Sequence, residues 1–437
     1  MEARRSDAFK PAGMLARLRA YVFITMMTFS AFVLFVCLVV LQPVRPLSLR
    51  LYRDLTTLML RIAIPSFLLP ATLAGLTVRV NDEHWKMMME SRAWAPLSII
   101  MCNHASRIDW LLAEWCGNVC SPMRVSFLTE GTMQLMPVVG WVLKLREDIF
   151  LWRSFKTDKP AIDANIGSFK ATRTNRAIFL AIEGAIVDQG EYDRQYMREC
   201  ADFCRTLGYA PFEYVLTPRY KGIHSLAQHA GTELFSATTA FVRDGELLNK
   251  KLTDPRRVVP DLFTILSQPI DITCHFDRLE ISAEQEQAKL QCMDNYKYRD
   301  GMISHFDQHG HFPGNLSYRP LPRDLPKRIG CFAFQLALAY VTLAHGLGRP
   351  LLLAKALAGA FCLLGGAHWL GETISGTSRE SIPFETIFKS YFYAGRDEKL
   401  LAKQKGARKE AAGDGGLAET LAQTAKMLSL ATKFPAN

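Results

Sequence analysis

The chain has 437 residues, enough for two or three domains or for one large domain with appendages. With 49% apolar and 22% charged residues it is neither a disordered nor a collagen-like chain. Lys plus Arg number 52 against 42 Asp plus Glu, and the resulting charge of +10 suits an anionic partner; long apolar runs near both ends favour phospholipid over nucleic acid.

The first run, residues 21–41, carries no charge, and 21 residues at 1.5 Å rise cross a bilayer core. Arg4, Arg5, Lys10, Arg17 and Arg19 precede it, which predicts a cytosolic N-terminus. It is long for a signal peptide and lacks a small-residue cleavage site, so it reads as an anchor. Residues 55–78 are interrupted by Arg61, Pro65 and Pro70, a pattern that predicts a broken or re-entrant helix in the membrane interface.

Residues 79–328 alternate short β-rich runs with helical patterns. Strands are expected at 96–102, 123–128, 177–182, 213–217, 233–241 and 270–277, and helices at 107–117, 160–173, 192–207 and 283–308. This alternation predicts an α/β domain with a mainly parallel sheet. Such sheets place their chemistry at the carboxyl ends of strands. The uncharged stretch 131–143 is too short to span a bilayer and reads as a core helix or a membrane-dipping segment.

Beyond it, 329–348 and 351–370 read as a transmembrane hairpin turned at Arg349-Pro350, preceded by Arg319, Arg323, Lys327 and Arg328, which again puts the central domain in the cytosol. His345 and His368 lie within these runs and read as packing residues. The rest is a basic, partly disordered tail. The expected organisation is 1–78 anchor, 79–328 catalytic domain, 329–371 hairpin and 372–437 tail.

Ten cysteines are present, but Cys116/Cys120 and Cys200/Cys204 are C-x-x-x-C pairs without the spacing or histidines of a zinc site. Neither a metal nor a disulfide framework is expected, and a reducing compartment fits. The chain also lacks a phosphate-cradling glycine loop, a G-x-S-x-G elbow and H-E-x-x-H. It does carry Asn103-His104-Ala105-Ser106-Arg107-Ile108-Asp109-Trp110 directly after the run LSIIMC. A histidine at a strand's carboxyl end can take a proton from an alcohol, and a nearby carboxylate can hold its tautomer and stabilise the imidazolium.

Four ordered blocks across roughly 95–315 resemble the glycerolipid acyltransferases, in particular the lysophosphatidic acid and lysocardiolipin acyltransferase branch. The blocks are Asn103-His104 to Asp109-Trp110; Pro137, Gly140, Trp141, Phe150 and Arg153; Glu183-Gly184; and YVLTPRYKG at 214–222. SHFDQHGHFPG (304–314) is similar to the segment that closes the family's domain. The resemblance implies that His104 is the base and Asp109 its orienter in acyl transfer from acyl-CoA, a co-substrate, to a lysophospholipid, with no covalent intermediate or cofactor. It further implies acceptor binding by Arg153, Glu183 and Gly184, with Asn103 and Arg107 beside the base and Pro218 and Arg219 shaping the acyl or CoA side.

The third block departs from the family's E-G-T-R or E-G-T-D, because Ala185-Ile186 supplies neither hydroxyl nor charge. A substitute phosphate contact is expected from Arg107, Arg173 or Arg176. The basic residue often found before the second block is also absent, the stretch reading Thr129-Glu130-Gly131-Thr132. The acceptor head group stays open among phosphatidate, phosphatidylinositol and cardiolipin types. A CoA-independent transacylase and an inactive scaffold of the same fold are the alternatives. The endoplasmic reticulum is the expected membrane, with mitochondrial membranes second.

Overall fold

The computed structural model describes residues 13–83, 97–120, 124–152, 154–172, 176–187, 191–229, 232–314 and 316–347. The expected second arm of the hairpin, the tail, Arg153 and Arg173 lie outside them. The helices are α1 (Met14–Val40), α2 (Leu49–Leu73), α3 (Asp109–Glu114), α4 (Val139–Leu145), α5 (Phe155–Ala171), α6 (Glu191–Thr206), α7 (Tyr220–Ala227), α8 (Leu262–Ser267), α9 (Gln285–His309) and α10 (Leu325–Leu347). The strands are β1 (Thr77–Asn81), β2 (Leu97–Cys102), β3 (Arg124–Glu130), β4 (Ile149–Leu151), β5 (Arg176–Ala181), β6 (Thr232–Arg243), β7 (Glu246–Leu247), β8 (Asp271–Leu279) and β9 (Tyr318–Pro320).

The strands form one sheet in the order β4-β3-β5-β2-β6-β8-β1-β9, with β7 paired to β6. β2 to β6 run parallel, β8 returns antiparallel to β6, and β1 lies parallel to β8. β2 occupies the middle. All six of its residues, LSIIMC, are buried, as a parallel strand covered on both faces requires. Its alternation sends Leu97, Ile99 and Met101 to one core and Ile100 and Cys102 to the other.

The first core contains Leu34, Leu60, Leu68, Trp115, Phe127, Phe241 and Phe276, so α1 and α2 share it with the sheet. The second joins Ile162 and Phe169 of α5, Leu226 of α7 and Tyr296 and Phe306 of α9. The first core therefore runs without a break across residue 78.

Residues 55–78 are not a broken helix. α2 continues through Pro65 and Pro70 to Leu73, and 61% of its apolar window is buried inside the protein. A proline removes one N–H and frees the carbonyl four residues earlier. Packing between α1 and α10 offsets that loss, and a buried polar chain ties the three helices together. Ser30 and Ser66 hydroxyls lie 3.1 Å apart, and Ser66 donates to Gln335 Oε1 at 2.7 Å. Arg61 stays at the surface.

Of the described helices, α1 and α2 are long and apolar enough to cross a membrane. The expected helix at 329–348 begins earlier, at Leu325, and Arg328 is buried with its guanidinium 3.9 Å from the Trp115 ring.

The strand expected at 213–217 is a loop. The Asp300 carboxylate of α9 accepts the N–H groups of Glu213, Tyr214 and Val215, and Glu183 accepts that of Leu216. Two carboxylates thus take the amides that a neighbouring strand would have paired. The stretch 131–143 is a 3₁₀ turn, Gly131–Leu135, followed by the start of α4, whose Trp141 packs on Phe35 of α1 at 5.4 Å.

At the amino-terminal end of β3 and β5 the structure buries an ionic network. Arg53 of α2 grips Glu147 through Nε at 2.8 Å and Nη2 at 3.1 Å. Arg176 reaches the same carboxylate at 2.7 Å and stacks on Phe169 at 3.7 Å. Burial alone would raise the Glu147 pKa, but the Arg53 hydrogen bond and the charges of Arg176, Arg53 and Arg124 outweigh it and hold the carboxyl at about 2. Arg176 is thus spent inside the protein and is not the substitute phosphate contact.

Candidate active site

Strand β2 ends at Cys102, and the next four residues form a loop at the carboxyl edge of the sheet, between the ends of β5 and β6. Asn103 fixes this loop from below. It is buried, and its side-chain oxygen accepts from the Thr239 N–H at 2.8 Å and hydroxyl at 3.0 Å on β6. Asn249 binds the same stretch by donating to the Thr239 carbonyl at 3.1 Å. Asn103 therefore positions the loop through protein contacts.

The loop presents His104 with its Nδ1 2.8 Å from Asp109 Oδ2. The imidazole is 30% exposed and the carboxylate 4%. Asp109 is the first residue of α3, where a helix start favours negative charge. Its second oxygen accepts from the Ser106 hydroxyl at 2.7 Å, and Ser106 in turn accepts from the Ile108 N–H at 3.2 Å. With Nδ1–H donating to the carboxylate, Nε2 carries the lone pair of the part-exposed ring. This is the arrangement of a general base with its orienting acid.

Ser106 was not among the expected site residues. Ser-x-x-Asp ahead of the apolar run WLLAEW is a capping-box pattern and would have marked it.

Glu183 follows β5 and is buried. One of its oxygens accepts from the His104 N–H at 2.9 Å and the other from the Leu216 N–H at 3.2 Å. Burial raises its pKa, while the His104 amide and charge oppose that rise. The carboxylate is occupied by the backbone of two loops, so its geometry is that of a clamp between blocks one and four.

Gly184 has φ +72°, a conformation glycine adopts freely. A Cβ there would stand 2.6 Å from Arg219 Nε, so the two expected residues meet across the backbone. Pro218 is buried and Arg219 exposed. Arg219 donates its backbone N–H to the Ile182 carbonyl at 2.7 Å, which brings the fourth block onto the third.

Arg107 is exposed three residues after the histidine. Its N–H donates to the Pro260 carbonyl at 2.9 Å, and its carbonyl accepts from Trp110 Nε1 at 3.0 Å. The structure thus gathers His104, Asp109, Glu183, Gly184, Pro218 and Arg219 at one sheet edge, with Arg107 beside them.

Tyr196 of α6 also belongs here: its hydroxyl donates to the Glu183 carbonyl at 2.9 Å and accepts from Arg219 Nε at 3.2 Å. It lies far from the motif blocks in sequence, and only the packing of α6 reveals it. Among the described residues, no three His, Cys, Asp or Glu are arranged to hold a metal ion.

Residues 90–239 match the Acyltransferase family model, a window that contains Asn103, His104, Asp109, Glu183, Gly184, Tyr196, Pro218 and Arg219. Lysocardiolipin acyltransferase 1 of Mus musculus is 29% identical over 126 residues, covering 29% of this chain and 32% of that protein. The 1-acyl-sn-glycerol-3-phosphate acyltransferase 2 of Brassica oleracea is 24% identical over 289 residues, 62% of this chain and 66% of that protein. An uncharacterized acyltransferase of Schizosaccharomyces pombe is 25% identical over 228 residues, 50% of this chain and 63% of its own. The chain therefore spans between 32% and 66% of the length of these curated relatives. The mixed α/β fold and the matched window fit an acyltransferase domain.

Proposed function

We propose that the protein is a membrane-bound acyltransferase that moves a fatty acyl group from acyl-CoA to the free hydroxyl of a lysophospholipid. The observation that carries this reading is the 2.8 Å contact between His104 Nδ1 and Asp109, which leaves Nε2 as the proton acceptor. Nε2 takes the proton of the acceptor hydroxyl as its oxygen attacks the thioester carbonyl. The carbon–sulfur bond of the tetrahedral adduct then breaks, and the imidazolium returns the proton to the CoA thiolate. Asp109 stabilises the imidazolium between the two steps. No residue becomes acylated.

A bilayer partner is supported by the way α1 is held. Arg19 donates to the Ser267 carbonyl of α8 at 2.7 Å, Tyr21 packs on Phe263, and Phe35 packs on Trp141 of α4. From Arg19 to Phe35 the helix rises about 24 Å, so the catalytic domain lies along most of the apolar helix. Tyr21, Val22, Phe32 and Val40 of α1 remain exposed, as do Trp141 and Val139 of α4. On this reading those faces meet lipid, and a lysolipid reaches His104 with its chain still in the bilayer. A cytosolic catalytic domain on the endoplasmic reticulum, with multiple membrane passes, belongs to the same proposal.

Acyl transfer by the detergent-solubilised full chain tests it, offering a labelled acyl-CoA to a panel of lysophospholipids. His104→Ala should lose about a hundredfold or more in kcat while staying folded. Acceptor-dependent product from wild type that persists in His104→Ala would refute the base assignment. Product formed without acyl-CoA would replace the donor by a second phospholipid.

A further inference from the structure

Arg219 differs from the other arginines near the core. Arg53, Arg146, Arg176 and Arg299 are buried and spend their guanidinium groups on protein acceptors. Arg219 is exposed, yet its position is set from three sides. Its N–H is bound to Ile182, its Nε to Tyr196 Oη, and its guanidinium carbon lies 5.5 Å from the Tyr196 ring centre. The Tyr196 hydroxyl is itself fixed, because its proton goes to the Glu183 carbonyl. Gly184 supplies the remaining side of the slot, where any Cβ would collide with Nε, Cδ and Cζ at 2.6–2.8 Å. Among the described residues, Nε is the one side-chain atom of Arg219 with a hydrogen-bond partner, which leaves the donors of Nη1 and Nη2 uncommitted there.

A guanidinium ordered before its ligand arrives loses little freedom on binding, and its two remaining donors match two oxygens of a phosphate. Ala185-Ile186, which follow Gly184, offer a ligand neither hydroxyl nor charge. We propose that Arg219, braced by Tyr196 across Gly184, is the phosphate fork of this site. The inference rests on the acyl-transfer reading and gives it a polar subsite. The ligand is a phosphate oxyanion, carried either by the acceptor's head group or by the nucleotide part of acyl-CoA. Tyr196 is a positioning residue, acting on the ligand through the guanidinium.

The test is equilibrium binding to the full chain in detergent, titrated separately with lysophosphatidate and with CoA. Wild type, Arg219→Lys and Tyr196→Phe are compared, with thermal unfolding run in parallel. Arg219→Lys should weaken one of the two ligands by about tenfold or more, since a point charge replaces a fork. Tyr196→Phe should weaken the same ligand by a smaller factor and leave the other unchanged, a selectivity that general loosening would not produce. Which ligand is affected names the source of the phosphate.

Both ligands binding Arg219→Lys within about threefold of wild type would overturn the proposal. If that variant does not fold, Gly184→Ala carries the test, because its Cβ displaces the guanidinium; unchanged binding there would overturn the proposal equally. Binding needs no turnover. A wild type that binds phosphate through Arg219 and transfers no acyl group would therefore refute the acyl-transfer reading and leave the fork standing.

Discussion

Glu183 hydrogen-bonds through both carboxylate oxygens, to the amide of His104 on one side and of Leu216 on the other. The resemblance assigns this position to the acceptor's head group; the geometry assigns it to holding the base. The two roles separate in Glu183→Gln. The amide keeps the size of the side chain but turns an NH₂ toward one of the two backbone N–H groups, leaving a buried donor unsatisfied at about 1–3 kcal/mol. We expect stability to fall by that amount and kcat to fall about tenfold or more, with the acceptor KM nearly unchanged. A rise in KM with kcat intact would return Glu183 to substrate binding. The His104–Asp109 pair was legible in the sequence because its parts are five residues apart and follow an apolar strand. The Tyr196–Arg219 contact was not, because it joins a helix to a loop 23 residues away and no local pattern encodes it.

Among the elements, α2 departs most from its sequence pattern. Two prolines and a charge argued for a break, yet tertiary packing carried the helix through. Its Arg53 is the reason the helix matters to the α/β domain. Arg53→Met removes two charge-assisted hydrogen bonds from Glu147 and leaves Arg176 as its partner, so it should cost about 1.5–3 kcal/mol in denaturant unfolding. The same pair sets an acid limit. The Glu147 carboxyl is lowered from 4.5 to about 2, so its contribution is fully present above pH 4.5 and is lost as pH falls toward 2. Wild type should lose stability across that window, and Glu147→Gln, less stable at neutral pH, should show a shallower loss there. An identical slope in both would detach the acid transition from this carboxylate. The parallel strands β2, β3, β5 and β6 were legible from their apolar β-branched runs. The loop at 213–217 was misread because side-chain carboxylates from distant elements, Asp300 and Glu183, consume its amides.

At the scale of the whole molecule, the apolar N-terminal helices look like a detachable anchor in the sequence and are structural in the fold. Leu34, Leu38, Leu60 and Leu68 share one core with Val78, Ile100, Phe235 and Phe276 of the sheet. Burying such side chains contributes about 1.5–3 kcal/mol each, an amount several of them together would make large against a total stability of about 5–15 kcal/mol. Deleting α1 and α2 would also strip Arg53 from Glu147, and Ser66 from Gln335. A chain starting at residue 76 should therefore fail to give a soluble monomer with a cooperative unfolding transition, although it keeps every motif block. The full chain in detergent should unfold cooperatively under the same conditions. The measurement is size-exclusion chromatography followed by a thermal melt of both proteins. A monodisperse, cooperatively melting truncation would show that the sheet closes its own core and that α1 and α2 serve only the membrane.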